Sequence, residues 1–163
     1  MLDQLTNLLT SRNSRRKATL AMARIISQYD IVVMPYETGV SVERRSHDER
    51  HAAFGVWLIA CDPGMNHSDI DFSSAVPAVT HDLRSEGFGV LTPLNLDDTC
   101  FVVAVPDGKD AWRFFQTKVC HKTLKDGGWY HVGLHLKGIV ETEPDQSAAF
   151  REHIRDVQAA AAK

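Results

Sequence analysis

The stretch "HDLRSEGFGVLTP", His81 to Pro93, decides how this chain is read. Its opening residues look like the end of a strand, Gly87 marks a turn, and "GFGVLT" restarts as a short apolar strand. Asp82, Arg84, Ser85 and Glu86 stand between the two, a more polar set than a simple hairpin requires. Either this turn grips a ligand or it only reverses the chain.

The same rhythm continues outward from the turn. Upstream, "AAFGVWLIACD" is rich in strand formers and ends at the turn "DPG". "FSSAVPAVTHDL" then leads into the turn, and Pro77 within it predicts a sheet edge or a bulge. Downstream, "TCFVVAVPDG" closes on Pro106, Asp107 and Gly108, and "AWRFFQTKVCHKTL" closes on "KDGG". "WYHVGLHLKGIV" completes a set of six. Short strands at regular spacing, divided by turn residues, predict a mostly β chain folded as an antiparallel barrel or sandwich.

Helices are expected on both flanks. Residues from about Asn13 to Tyr29 show an apolar face built from Leu20, Ala21, Met22, Ala23, Ile25 and Ile26. The segment "RNSRRK" opposes the dipole of a helix N-terminus, so the helix is expected to begin further along. Pro35 and Gly39 end helicity. After Pro144, "DQSAAFREHIRDVQAAAAK" predicts a second helix capped by Asp145 or Ser147, with Ala149, Phe150, Ile154 and Val157 as its buried stripe. The expected division is an N-terminal helical segment over 1–39, a barrel over 40–141 and a C-terminal helix over 142–163.

Composition narrows the function classes. The chain of 163 residues is 44% hydrophobic and 24% charged, as ordinary globular domains are. A net charge of -3 supplies no basic field for DNA or RNA. No apolar run reaches bilayer length, and the start "MLDQLTNLLTSRNSRRK" lacks the pattern of a secretory leader, so a cytoplasmic protein is expected. Cys61, Cys100 and Cys120 form no C-x-x-C pair and are expected to pack as small hydrophobes.

Eight histidines raise the question of a metal. His131 and His135 share a strand face but stand about 13 Å apart by strand rise, too far for one ion. His47 and His51 lack a third ligand nearby, and Cys120 and His121 point to opposite faces of a regular strand. There is no G-x-S-x-G elbow and no Gly-rich phosphate loop. No metal, cofactor or catalysis is expected.

Three places in the middle of the chain carry a family likeness. "ERRSHDER" is a basic cluster before the first strand, "HDLRSEGFGVLTP" is the polar turn, and "GGWYHVGLHL" closes the series with Gly133 followed three residues later by Leu136. In this order and separation they resemble the PilZ domain family, over roughly residues 40 to 140. The resemblance implies a six-stranded antiparallel barrel and, as ligand, the bacterial second messenger cyclic di-GMP. Its first motif has two arginines with three residues between them, whereas four separate Arg45 from Arg50 and five separate Arg44 from Arg50. Asp82 and Gly87 stand at the separation of the second motif, but Arg84 occupies its serine position and Ser85 follows one place late.

The residue types suit a guanine dinucleotide. A planar guanidinium meets guanine O6 and N7 in bidentate fashion, and it also stacks on a base or pairs with phosphate. Arg44, Arg45, Arg50 and Arg84 are candidates for those roles. Asp82 suits acceptance from the guanine N1–H and N2–H groups, Ser85 offers an adaptable hydroxyl, and Gly87 is expected to supply a positive φ and close backbone approach. The arginine-bearing segment is charged, without apolar periodicity, and is expected to become ordered on binding.

On the last strand, strict alternation puts Tyr130, Val132, Leu134 and Leu136 on a core face. Trp129, His131, Gly133, His135 and Lys137 then share the other face. Gly133 and His135 join the candidate ligand set, while His131 and Lys137 are expected to be ordinary solvent-facing residues. The competing expectation is a barrel that has lost the dinucleotide and works as an interaction module, its helices pairing with a protein partner or a second copy.

Overall fold

The structure, a computed structural model, describes residues 2–28, 50–51, 53–108 and 111–162. Its helix α1 spans Leu2–Gln28. The strands are β1 (Arg50–His51), β2 (Gly55–Ala60), β3 (Val76–Arg84), β4 (Gly87–Thr92), β5 (Cys100–Pro106), β6 (Trp112–Leu124) and β7 (Tyr130–Val140). Helix α2 spans Pro144–Ala161. The sheet runs β1-β3-β2-β5-β6-β7-β4, and β4 pairs back onto β3. That last pairing closes six antiparallel strands, β2 to β7, into a barrel, which decides between barrel and sandwich. The two-residue β1 adds to the edge of β3, Arg50 opposite Leu83 and His51 opposite Asp82, and was not anticipated from sequence.

Alternation along each strand separates an inner from an outer face. Val56 and Leu58, Phe101, Val103 and Val105, Phe115, and Val132, Leu134 and Leu136 fill the interior. Ala18, Met22 and Ile25 of α1 join that interior cluster, spaced by four and three residues as one helix face requires. Helix α1 departs from the sequence expectation in two ways. The helix begins at Leu2 and runs through "RNSRRK", so those charges sit mid-helix, away from the positive N-terminal dipole end. Leu20 is 63% exposed and Ala23 is also exposed, because both lie off the Ala18–Met22–Ile25 face.

On the outer face, β2, β5 and the start of β6 are apolar as well. Trp57, Ile59, Val102, Ala104 and Phe114 meet Phe150 and Ile154 of α2 in a second buried cluster. Ala149 and Val157 border this stripe half-buried. Glu143, not Asp145 or Ser147, caps α2: Pro144 occupies the first turn, and the Gln146 Oε1 accepts from the Glu143 N–H at 3.1 Å.

Residues Phe72–Ser74 form a 3-10 turn rather than strand, because Asp71 accepts from the Ser73 N–H and starts a helical turn. Pro77 pairs with Trp57 on one side only, as an edge-like proline should, and β3 bulges between Thr80 and Asp82. Cys61 and Cys100 are buried, but Cys120 is exposed, against the expectation that all three pack inside.

Candidate functional site

The polar turn is a tight hairpin. Arg84 pairs with Gly87, leaving Ser85 and Glu86 as its two turn residues. The Leu136 N–H donates to the Glu86 carbonyl at 2.8 Å and ties the turn down onto β7. This explains Gly87 differently from the sequence reading. Its φ lies outside the left-handed region, which Gly64, Gly108, Gly127 and Gly128 occupy. A Cβ at Gly87 would instead strike the Leu134 carbonyl oxygen, so glycine is needed for close packing of strands.

Beyond the turn, one row crosses four strands on the outer face. Asp82 of β3 pairs with Gly89 of β4, Gly89 with Gly133 of β7, and Gly133 with His121 of β6. The two central glycines make room for the flanking side chains. A Cβ on Gly89 would meet Asp82 Oδ2 and His131 Nε2, and a Cβ on Gly133 would meet the His121 ring. A bulge between Val119 and His121 breaks the alternation of β6, so Cys120 and His121 face the same space rather than opposite sides.

An open cavity of about 720 Å³ lies over this row. Asp82, Arg84, Ser85 and Gly87 of the turn line it together with Gly133 and His135 of β7. Arg44 and Arg45 lie outside the described residues. So do His47 and most of the segment expected to become ordered on binding, while Arg50 and His51 are described as backbone in β1. Arg50 pairs with Leu83, next to Asp82 on β3.

The Asp82 carboxylate is 10% exposed and is contacted on both oxygens. Its Oδ2 lies 3.2 Å from His81 Nδ1 and 3.5 Å from His131 Nε2, and its Oδ1 lies 3.7 Å from Arg84 Nε. His131 is not the solvent-facing residue expected: its side chain is 17% exposed. Burial pushes its imidazole below the ordinary histidine pKa, the Asp82 carboxylate opposes this, and His81, His121 and Lys125 reinforce it. Lys137 is exposed, as expected.

His135 is also pushed below the ordinary value, first by burial and then by Lys137 and Arg15, with Glu86 opposing. Arg15 is a residue that sequence reasoning missed. It sits on α1, 3.4 Å from Glu86 at the rim of the turn. Its only sequence signal was the basic segment read as a poor helix start. His81, His121 and Gly89 were missed as well, because strand pairing, not chain proximity, gathers them around Asp82.

No family model matches the chain, and no curated protein matches it. Among solved structures, the chain is similar to the Bacillus subtilis inhibitor of motility (MotI/DgrA), with 14% identity and a TM-score of 0.44. The likeness covers 77% of this chain and 57% of that one, so this chain matches little more than half of that protein's length.

Proposed function

We propose that the barrel binds a cyclic guanine dinucleotide, cyclic di-GMP, in the cavity over the β3–β4 turn. The chain would then be a PilZ-type bacterial signalling adaptor of the cytoplasm, working by binding rather than catalysis. One observation carries this reading: the turn candidates Asp82, Arg84, Ser85 and Gly87 and the last-strand candidates Gly133 and His135 line a single cavity. Its volume falls in the range of small-molecule sites. Arg84 and Arg15 offer positive charge at the rim for phosphates. Among the described residues, no helix is long and apolar enough to cross a membrane.

A second reading, the barrel as a protein interaction module without the dinucleotide, is favoured by the occupied state of Asp82. Its carboxylate already contacts His81, His131 and Arg84, and a guanine must displace part of that set. Calorimetric titration with cyclic di-GMP separates the two. The receptor reading expects micromolar or tighter binding and a loss of at least about tenfold in Asp82→Ala. It fails if the folded protein takes up no ligand at high concentration. Arg84→Ser gives the sign of that residue's role: affinity falls if Arg84 holds the ligand and rises if Arg84 fills its place.

A further inference from the structure

The row that floors the cavity ends in a set of side chains of which the dinucleotide reading uses only Asp82. His81, Asp82 and His131 each offer one donor atom, and the three atoms lie within 4.8 Å of one another. We propose that these residues form a site for a divalent late first-row transition metal, with Zn²⁺ as the best-suited ion.

The distances fit that chemistry. A tetrahedral ion with ligand bonds of about 2.0–2.1 Å spaces its donors about 3.3–3.4 Å apart. Asp82 Oδ2 stands 3.2 Å from His81 Nδ1 and 3.5 Å from His131 Nε2, so two edges of the tetrahedron are already near length. The third edge, between the two imidazoles, closes by a small rotation of His81, whose side chain is 48% exposed. Among the described residues, the buried His131 Nε2 has no hydrogen-bond partner, although a carboxylate oxygen stands 3.5 Å away. A buried ring nitrogen without a hydrogen bond is costly unless something occupies its lone pair, and a cation does so.

The backbone is arranged for these atoms. Gly89 is the residue opposite Asp82, and any side chain there would collide with Asp82 Oδ2 and His131 Nε2, the two donor atoms on the buried side. The bulge between Thr80 and Asp82 brings adjacent residues His81 and Asp82 onto the same ion, which regular alternation forbids. Two imidazoles and one carboxylate select Zn²⁺ and its neighbours over Mg²⁺, which prefers six oxygens. His121, with its ring centroid 5.3 Å from that of His131, stands beside the group, and water completes the coordination. Asp82 divides its oxygens, Oδ2 toward the metal and Oδ1 toward Arg84. A bound ion therefore fixes the carboxylate that the proposed ligand would meet, and it does so whether or not that ligand binds.

The test uses the full chain stripped of metal, with no dinucleotide present, so the two proposals fail independently. Titration with Co²⁺ is expected to give one equivalent of uptake and the strong visible absorption of tetrahedral coordination, displaced by Zn²⁺ and not by Mg²⁺. His81→Ala and His131→Ala should each weaken uptake on the order of 100-fold. His153→Ala, on the far side of the barrel against the Ala75 carbonyl, should leave it unchanged. If His131→Ala does not fold, the exposed His81 carries the test alone. Absence of uptake by the folded wild-type chain overturns the site, as does uptake that His81→Ala leaves unaltered.

Discussion

The outer face of the barrel is built in two ways. Across β2, β5 and the start of β6 it is apolar and sealed by α2. Phe150 meets Trp57, Phe72, Trp112 and Phe114 edge-on, with ring centroids 5.1 to 6.5 Å apart. Across β3, β4, β7 and the end of β6 it is glycine, histidine and carboxylate, and it opens to solvent as a cavity. Strand pairing and twist are common to both halves, so the sheet itself does not decide which becomes core and which becomes site. Side chains decide. Large aromatics fill the space above the sheet and pull a helix down onto it, whereas Gly89 and Gly133 leave room for the polar side chains of Asp82, His131 and His121.

The sharpest way to break this contrast is to remove the aromatic at the centre of the sealed half. Phe150 is 1% exposed, and Phe150→Ala leaves a cavity among four aromatic neighbours. The expected cost is about 3–5 kcal/mol, read from denaturant unfolding. His81→Ala, on the open half, should cost within about 0.5 kcal/mol in the metal-free protein. Equal losses at the two positions would mean that the open half is as much a part of the core as the sealed one.

A smaller effect is expected where the open half is packed backbone against backbone. Gly87→Ala drives a Cβ into the Leu134 carbonyl, and neither strand yields easily because Leu136 is hydrogen-bonded to Glu86. Forced strand separation of this kind should cost about 1–3 kcal/mol. Gly55→Ala is the control, since nothing lies within 4 Å of a Cβ there. A destabilised Gly55→Ala beside an unaffected Gly87→Ala would show that the tight approach of β4 to β7 is not what holds the turn.

The two halves were not equally legible in the sequence. All six barrel strands could be read, because alternation and turn residues are local signals, and the α2 stripe Phe150–Ile154 follows from helical period alone. Asp82, Arg84 and Gly133 could be singled out by motif. The grouping of His81, His121 and His131 could not, since it depends on which strands become neighbours and on two bulges that reset alternation at His81 and Cys120. The run "RNSRRK" misled for a similar reason. On its own it reads as a helix start, whereas the helix begins eleven residues before Asn13 and carries Arg15 to the rim of the site.

Acidification should act on the open half. His135 sits below the ordinary histidine value near 6.5 in the folded chain, so the unfolded chain takes up its proton first as pH falls. Its contribution to stability is complete above about pH 6.5 and is lost progressively below it, down to the lowered folded value. The thermal midpoint should therefore drop between about pH 7.5 and pH 5.5, and His135→Gln should flatten part of that drop. An anionic ligand beside His135 reverses the sign, because it favours the protonated ring and so binds more tightly at the lower pH. A slope identical in wild type and His135→Gln would remove this residue from the account.

The mildest probe compares one residue type on both halves. Cys61 and Cys100 are 7% and 8% exposed within the sealed half, and burial together with the neighbouring Cys100 pushes the Cys61 thiol up to about 11. Thiolate is the reactive form, so at mildly alkaline pH Cys61 is both shielded and protonated. Cys120 is exposed on the bulge of β6 and lines the cavity. A small thiol reagent should add once to the native protein, at Cys120, and three times in denaturant, as counted by intact mass. Bound dinucleotide should slow the single native adduct, because the ligand would cover Cys120. Three adducts on the native chain would mean that the α2 side opens as readily as the cavity, and the difference between the two halves would then be one of chemistry without one of packing.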